Sequence, residues 1–380
     1  MTISRRNFVL GTAASLAVVT QLKARAFAAA LRSTGLAALY ADDFLLGTVL
    51  SAWTFEKKDT ALLDIIKREF NAVTPENAMK WEEIRPQLDN WQWAIADQMV
   101  DFATRHKMHM VGHTLVWHSQ VPPQVFLDNK GQPLERDALL KIMKGHIETL
   151  VDRYKGRIAT WDVVNEAFED DGKLRQTSWL KGIGEDYLDH AFRFAHEVDP
   201  QAHLIYNDYN TFVPAKRDAI AAMARKLKGR GVPIHGLGMQ GHIGIGRPEL
   251  SELEQTIEAF ADAGMRVHVT ELDVDVLPSV WEMSAEIANR FEYKPEMDPY
   301  RDGFPQEMEE KLAERYEALF KIFLKHRDKI DRVTFWGTSD GASWLNGFPI
   351  PGRTNYPLLF NRQLDPKPAY TRLTALKLGK

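Results

Sequence analysis

Apolar and polar positions alternate along this chain in two ways. Short runs rich in β-branched and aliphatic residues fall at 44–50, 70–74, 109–117, 158–165, 203–208, 236–241, 266–272 and 332–337. Most of them lack strict apolar–polar alternation, so they read as strands buried on both faces, as in a parallel sheet. Longer amphipathic stretches lie between them. Leu62/Ile66/Phe70, Tyr187/Ala191/Phe194/Val198 and Leu312/Tyr316/Leu319/Phe323 recur every three or four residues and so share a helical face. Residues 368–378 predict a final helix. Pro200 and Gly264 follow two of the amphipathic stretches and stop them. Eight strand–helix alternations over roughly 330 residues predict a single (β/α)8 TIM barrel, with its active site at the carboxyl ends of the strands. A doubly wound open sheet has no support, because no Gly-x-Gly-x-x-Gly follows the first strand. The longest irregular stretch, 274–304, holds Trp281, Phe291, Tyr293 and Tyr300. Its length suits a wall of a substrate groove or a segment packed on the barrel rim.

Composition changes this picture little. With 44% hydrophobic and 26% charged residues the chain is an ordinary globular one. Ten Trp and ten Tyr suit stacking on sugars, although core packing accounts for most aromatic residues. There is no cysteine, which excludes disulfides, thiolate nucleophiles and Cys-ligated metals. The formal net charge is −4. Residues 1–28 contain Arg5, Arg6, Lys23 and Arg25 and no acid, so the remainder carries 44 basic against 52 acidic residues. Such a surface disfavours nucleic acid and anionic membrane and suits a neutral substrate.

The front of the chain is a separate matter. Ser4-Arg5-Arg6-Asn7-Phe8-Val9-Leu10 resembles a twin-arginine export signal. The apolar stretch behind it, 8–20, is shorter than the about 20 residues a membrane span requires. Small-residue cleavage options follow at Ala24-Arg25-Ala26 and Ala26-Phe27-Ala28. The chain is therefore expected to divide into a signal at 1–28 and a catalytic barrel at 29–380, with a mature protein that is periplasmic or secreted, monomeric and not bound to membrane.

Two of the strand-like runs end in a carboxylate: Trp161-Asp162-Val163-Val164-Asn165-Glu166 and Val267-His268-Val269-Thr270-Glu271-Leu272-Asp273. A glutamate at the tip of a buried strand packs poorly and is costly to desolvate, so a pair of them suggests catalysis. Other strand ends are also polar. They give Glu76, Asn77 and Lys80; His113, Trp117, His118 and Gln120; Asn207-Asp208; Gln240-Gly241-His242; and Trp336-Gly337-Thr338-Ser339-Asp340, with Trp344 just beyond. Packing alone does not explain seven such clusters at one end of a barrel.

These segments, in this order, resemble glycoside hydrolase family 10, the endo-β-1,4-xylanases. Gly264-Met265-Arg266-Val267-His268-Val269-Thr270-Glu271-Leu272-Asp273-Val274 is similar to the family's nucleophile signature and 161–166 to its acid/base segment. The resemblance covers about residues 35–378. It implies a retaining hydrolase of xylan or xylo-oligosaccharide that needs no cofactor and no metal, with Glu271 as nucleophile and Glu166 as general acid/base. It further implies that His242 and Asp273 support the nucleophile and that Asn165 reaches the sugar 2-hydroxyl. Glu76, Asn77, Lys80, His113, Trp117, Gln120, Gln240, Trp336 and Trp344 are implied as substrate-binding residues. The two late tryptophans would crowd the place where glucose carries its hydroxymethyl group, which favours xylose.

Electrostatics agrees with the division of roles. Carboxyl groups about 5–5.5 Å apart, the retaining spacing, repel by about 3 kcal/mol at an effective dielectric of about 20. That separates their titrations by roughly two pH units, so one stays protonated while the other ionises. Asp273 follows Glu271 by two residues and is expected on the same side of the strand end. An imidazole between the two would keep Glu271 ionised. A metal site built from His106, His109, His113 and His118 is the main competing chemistry. It is disfavoured, because the five-residue spacing of His113 and His118 puts them on opposite faces of an extended strand. The same residues are also compatible with a retaining glycanase that cleaves glucan or mannan, and with a non-catalytic xylo-oligosaccharide-binding protein.

Overall fold

The computed structural model describes residues 35–279 and 290–379. The expected signal at 1–28 and Trp281 lie outside the described residues. Eight strands form a closed barrel in chain order, each parallel to its neighbours: β1 (Leu45–Leu50), β2 (Ala72–Pro75), β3 (His109–Val116), β4 (Thr160–Asn165), β5 (His203–Asp208), β6 (Gly236–Gly244), β7 (Arg266–Asp275) and β8 (Ile330–Phe335). The pairing of β1 with β8 closes the ring. This is the (β/α)8 barrel that the pattern predicts, and each expected strand has its counterpart. Strand β7 is longer than expected and runs three residues past Leu272.

Helices on the outside bury one face each against the strands. Helix Thr60–Glu69 begins at Asp59, whose carboxylate accepts the Leu62 N–H at 3.0 Å. Buried Glu69 at its end accepts from the Leu36 N–H at 2.9 Å and the Tyr370 hydroxyl at 3.0 Å, tying the short helix Leu36–Leu39 to helix Pro368–Leu378. The last helix, Pro368–Leu378, and helix Gln306–Lys325, which buries Leu312, Tyr316, Leu319 and Phe323, follow the sequence pattern. Helix Tyr187–Val198 departs from it, burying Leu188, Phe192 and Ala195 beside Tyr187 and Ala191. Phe194 lies at the seam with helix Arg136–Tyr154, where it stacks on His190 and takes the Lys144 ammonium 5.1 Å from its ring centre. The stripe is rotated because this helix leans on both β4 and a neighbouring helix. Helix Leu250–Asp262 runs into Gly264, whose φ of +76° is the left-handed stop that glycine adopts freely.

The described part of the long stretch after β7 packs on the rim. Phe304 stacks on Tyr356 with ring centres 4.5 Å apart, and the Tyr356 hydroxyl donates to the Tyr300 carbonyl at 3.0 Å. Arg290 lies 4.6 Å over Phe348, which in turn stacks on Trp344. The segment therefore packs on the rim and also backs one side of the strand-end cluster.

Candidate active site

The site is built where the strands lose their regular register. Asn165 at the end of β4 pairs with Asn207 on β5, and Asn207 with Gly238 on β6. Between β6 and β7, Gln240 pairs with Thr270 but His242 with Asp273, so β7 carries an extra residue across this step. Glu271 sits in that irregularity with φ of 55°, and Glu166, just past β4, has φ of 58°. A left-handed backbone at a residue other than glycine costs roughly 1–3 kcal/mol and persists where the surroundings fix it. Both glutamates are thus turned out of the strand alternation, as bulges do near active sites. Asp273 does meet the same partner as Glu271. The bulge and a bridging histidine achieve this, where regular period-two spacing was the expected reason.

A continuous hydrogen-bond network joins the two acids. The Asn207 amide donates to Glu271 Oε1 at 2.7 Å and to Asn165 Oδ1 at 3.0 Å. Thr270 fixes that amide by donating to Asn207 Oδ1 at 2.6 Å. Asn165 Nδ2 donates to Glu166 Oε1 at 3.1 Å, and Gln240 Nε2 donates to the same oxygen at 3.0 Å. Trp117 Nε1 donates to Glu166 Oε2 at 2.8 Å. On the far side His242 Nε2 lies 3.1 Å from Glu271 Oε2 and its Nδ1 3.0 Å from Asp273 Oδ1. Trp344 Nε1 completes the chain, donating to Asp273 Oδ2 at 2.7 Å.

Charge follows from this geometry. Burial alone would push the His242 imidazole down, but Asp273 and Glu271 outweigh it and hold it up at about 10. Burial likewise opposes the charge on Glu271. His242, His113 and Lys80 overcome it and hold that carboxyl below its ordinary value. Lys80 is buried, which pushes its ammonium down against the pull of Glu271, Glu76 and Glu166. Burial pushes the Glu76 carboxyl up, opposed by Lys80. Glu271 is buried and ionised, whereas Glu166 is half-exposed. One fixed carboxylate beside a second, accessible carboxyl suits chemistry at an acetal carbon.

The remaining expected residues surround this network. Lys80 Nζ donates to Asn77 Oδ1 at 2.9 Å and lies 5.0 Å from the Trp117 ring centre. Its burial rules out a solvated surface cation. His113 is buried with Nδ1 2.8 Å from Asp162 Oδ2 and meets Trp336 edge-on at 5.5 Å between ring centres. His242 meets Trp336 edge-on at 6.1 Å and Trp344 at 4.7 Å. Gln120 stands apart: it is half-buried with φ of 45°, and its carbonyl accepts the Glu82 N–H at 2.8 Å.

Four contributors had no role assigned from sequence. Asn207 is the hub between the acids, and its position needs Gly238. A Cβ there would come within 2.3 Å of Asn207 Oδ1. Asp162 orients His113. Arg175 and Tyr206 brace the turn at Glu166: Arg175 Nε donates to the Glu166 carbonyl at 3.2 Å, and the Ala167 N–H donates to the Tyr206 hydroxyl at 2.8 Å. Asn207 and Asp162 had a signal, being polar residues in apolar strand runs. Arg175 lies in a loop and had none.

Comparison with known proteins agrees with the geometry. The model of glycosyl hydrolase family 10 matches residues 35–376. Endo-1,4-beta-xylanase A of Xylanibacter ruminicola is 45% identical over 334 residues, covering 88% of this chain and 90% of that protein. A family 10 endoxylanase structure retrieved from a sugarcane soil metagenome superposes with a TM-score of 0.88 at 58% identity, over 90% of this chain and all of the other. The xylotriose complex of a mutant intracellular xylanase from Thermoanaerobacterium saccharolyticum gives 0.78 at 36% identity, over 89% of this chain and 97% of that one. A closed barrel whose two strand-end glutamates share one polar network, matched over nearly its whole described length by that family, identifies this chain as a glycoside hydrolase belonging to glycosyl hydrolase family 10.

Proposed function

We propose that the protein is a retaining endo-β-1,4-xylanase. The observation that carries this reading is the network in which Glu271 is held ionised between His242 and Asn207 while Glu166, half-exposed, joins the same network through Asn165. Glu271 attacks the anomeric carbon as Glu166 gives a proton to the departing sugar oxygen. The covalent glycosyl-enzyme forms, Glu166 takes a proton from water, and the second displacement restores the original anomeric configuration. His242 and Asp273 keep the nucleophile charged before attack. Asn165 moves its amide between Glu166 and the sugar 2-hydroxyl. Glu76, Asn77, Lys80, His113, Trp117, Gln120 and Gln240 receive the sugar hydroxyls and faces, and Trp336 and Trp344 exclude a hydroxymethyl group. The names of the relatives support the substrate class, as does the presence of xylotriose in one of them.

A 2-fluoro xylobioside with a good leaving group tests the mechanism. It should label Glu271, and labelling at any other residue overturns the assignment. Release of the β-anomer first, followed by NMR, tests retention. Faster hydrolysis of carboxymethylcellulose than of xylan would reassign the substrate. Export by the twin-arginine route is part of the same proposal. An Arg5→Lys/Arg6→Lys protein should keep its activity in the cytoplasmic fraction, and undiminished export would refute the signal.

A further inference from the structure

The opposite, amino end of the barrel carries a second concentration of chemistry. His109 opens β3, His203 opens β5, and Arg266 and His268 lie at the start of β7; Asp331 and Arg332 lie at the start of β8. His203 Nε2 and His268 Nε2 face each other at 3.1 Å. Asp331 Oδ2 lies 3.9 Å from His268 Nε2. The three donor atoms fall within 4.8 Å of one another. None belongs to the catalytic network.

We propose that His203, His268 and Asp331 form a binding site for a divalent transition-metal ion of the Zn2+ class. Two imidazole nitrogens bound to one tetrahedral ion at about 2.0–2.1 Å stand about 3.3 Å apart, close to the separation seen here. Asp331, on a half-exposed side chain, closes the third position by moving its Oδ2 inward from the 3.9 Å that separates it from His268 Nε2. Its other oxygen, Oδ1, already accepts from Arg266 Nε at 2.7 Å, the kind of outer contact that fixes a ligating carboxylate. Gly236 keeps the space open, since a Cβ there would come within 2.8 Å of His268 Nε2. His203 and Asp331 are half-exposed, so an ion can enter from solvent and a water completes the fourth position.

The protonation state suits the role. Burial, with Arg332 beside it, pushes His268 well down, and burial with His235 brings His203 to about 4. Both imidazoles are therefore neutral at ordinary pH; one of the two facing Nε2 atoms carries the proton they share, and it moves to that ring's Nδ1 when both Nε2 lone pairs turn to an ion. Arg266 and Arg332 oppose a second cation here. The site therefore discriminates by ligand softness, taking Zn2+, Ni2+ or Cu2+ through imidazole and refusing Ca2+ and Mg2+. The other convergent group among the described residues, Glu254, Glu258 and His326, is a weaker candidate, because Lys325 already donates to Glu254 at 2.6 Å. An ion at the first site would tie β5, β7 and β8 together at the foot of the barrel.

The test uses tag-free full-length protein, freed of metal with chelator and titrated with Co2+ and with Zn2+. One equivalent of Co2+ should produce the intense visible bands of a tetrahedral ion, Zn2+ should displace it, and saturating Zn2+ should raise Tm. Asp331→Asn and His203→Asn, both at half-exposed positions, should each weaken Zn2+ binding by about 10-fold or more. The absence of saturable binding overturns the proposal. So does binding that survives both substitutions, because the ion would then sit elsewhere.

Discussion

The two ends of this barrel use histidine in opposite ways. At the mouth, His242 lies between two carboxylates and is held up at about 10, charged. At the foot, His109 and His203 are brought to about 4 and His268 is pushed well below its ordinary value, because burial is reinforced by Arg332 and by other imidazoles. Burial acts in the same direction on every one of these rings. The sign of the outcome is decided by the company, carboxylates above and guanidinium below. A barrel leaves its strand ends free to carry any such company, since the packed layers between them supply the stability.

The largest expected effect breaks the mouth alone. Glu271→Ala should lower kcat on xylo-oligosaccharide by about 10^4-fold or more with Tm retained, measured by reducing-sugar release and thermal unfolding. A residual rate near that of the parent would remove Glu271 from the chemistry. His242→Asn comes next. Losing the charge that holds Glu271 ionised should cost about 10^2–10^3-fold in kcat and shift the acidic limb of the pH–rate profile upward. A drop in kcat with an unmoved acidic limb would mean that His242 only packs.

Asn207→Ala should be milder. It leaves Asn165 and Glu271 without a shared donor, so about 10-fold or more in kcat and about 1–3 kcal/mol of stability should be lost, read by kinetics and denaturant unfolding. Stability against pH then separates the two ends. His242 is raised in the fold, so its contribution is complete below about 6.5 and disappears as pH rises through about 10. The foot histidines are lowered in the fold, so they cost nothing above about 6.5 and destabilise as pH falls from there towards about 4. Tm should therefore decline less at high pH in His242→Asn and less at low pH in His109→Asn than in the parent. The smallest effect is on activity at the foot: His109→Asn should leave kcat/KM within about two-fold, since distant sites act independently.

Much of the molecule was legible in its residues. Buried parallel strands are apolar on both faces, so eight β-branched runs revealed the barrel and the polar residues that ended them revealed its working face. Glu166, Glu271, His242 and Asp273 stood out because an ionisable group at the tip of such a run has no packing reason to be there. What local pattern could not give was the register. The extra residue in β7 and the left-handed turns at both glutamates depend on how neighbouring strands slide past one another, and that is settled only when the ring closes. The hub at Asn207, the brace from Arg175 and the rotated face of helix Tyr187–Val198 are decisions of the same kind. Each depends on partners dozens of residues away. Composition and periodicity report what a segment buries, but only the assembled barrel determines which side chains face one another across it.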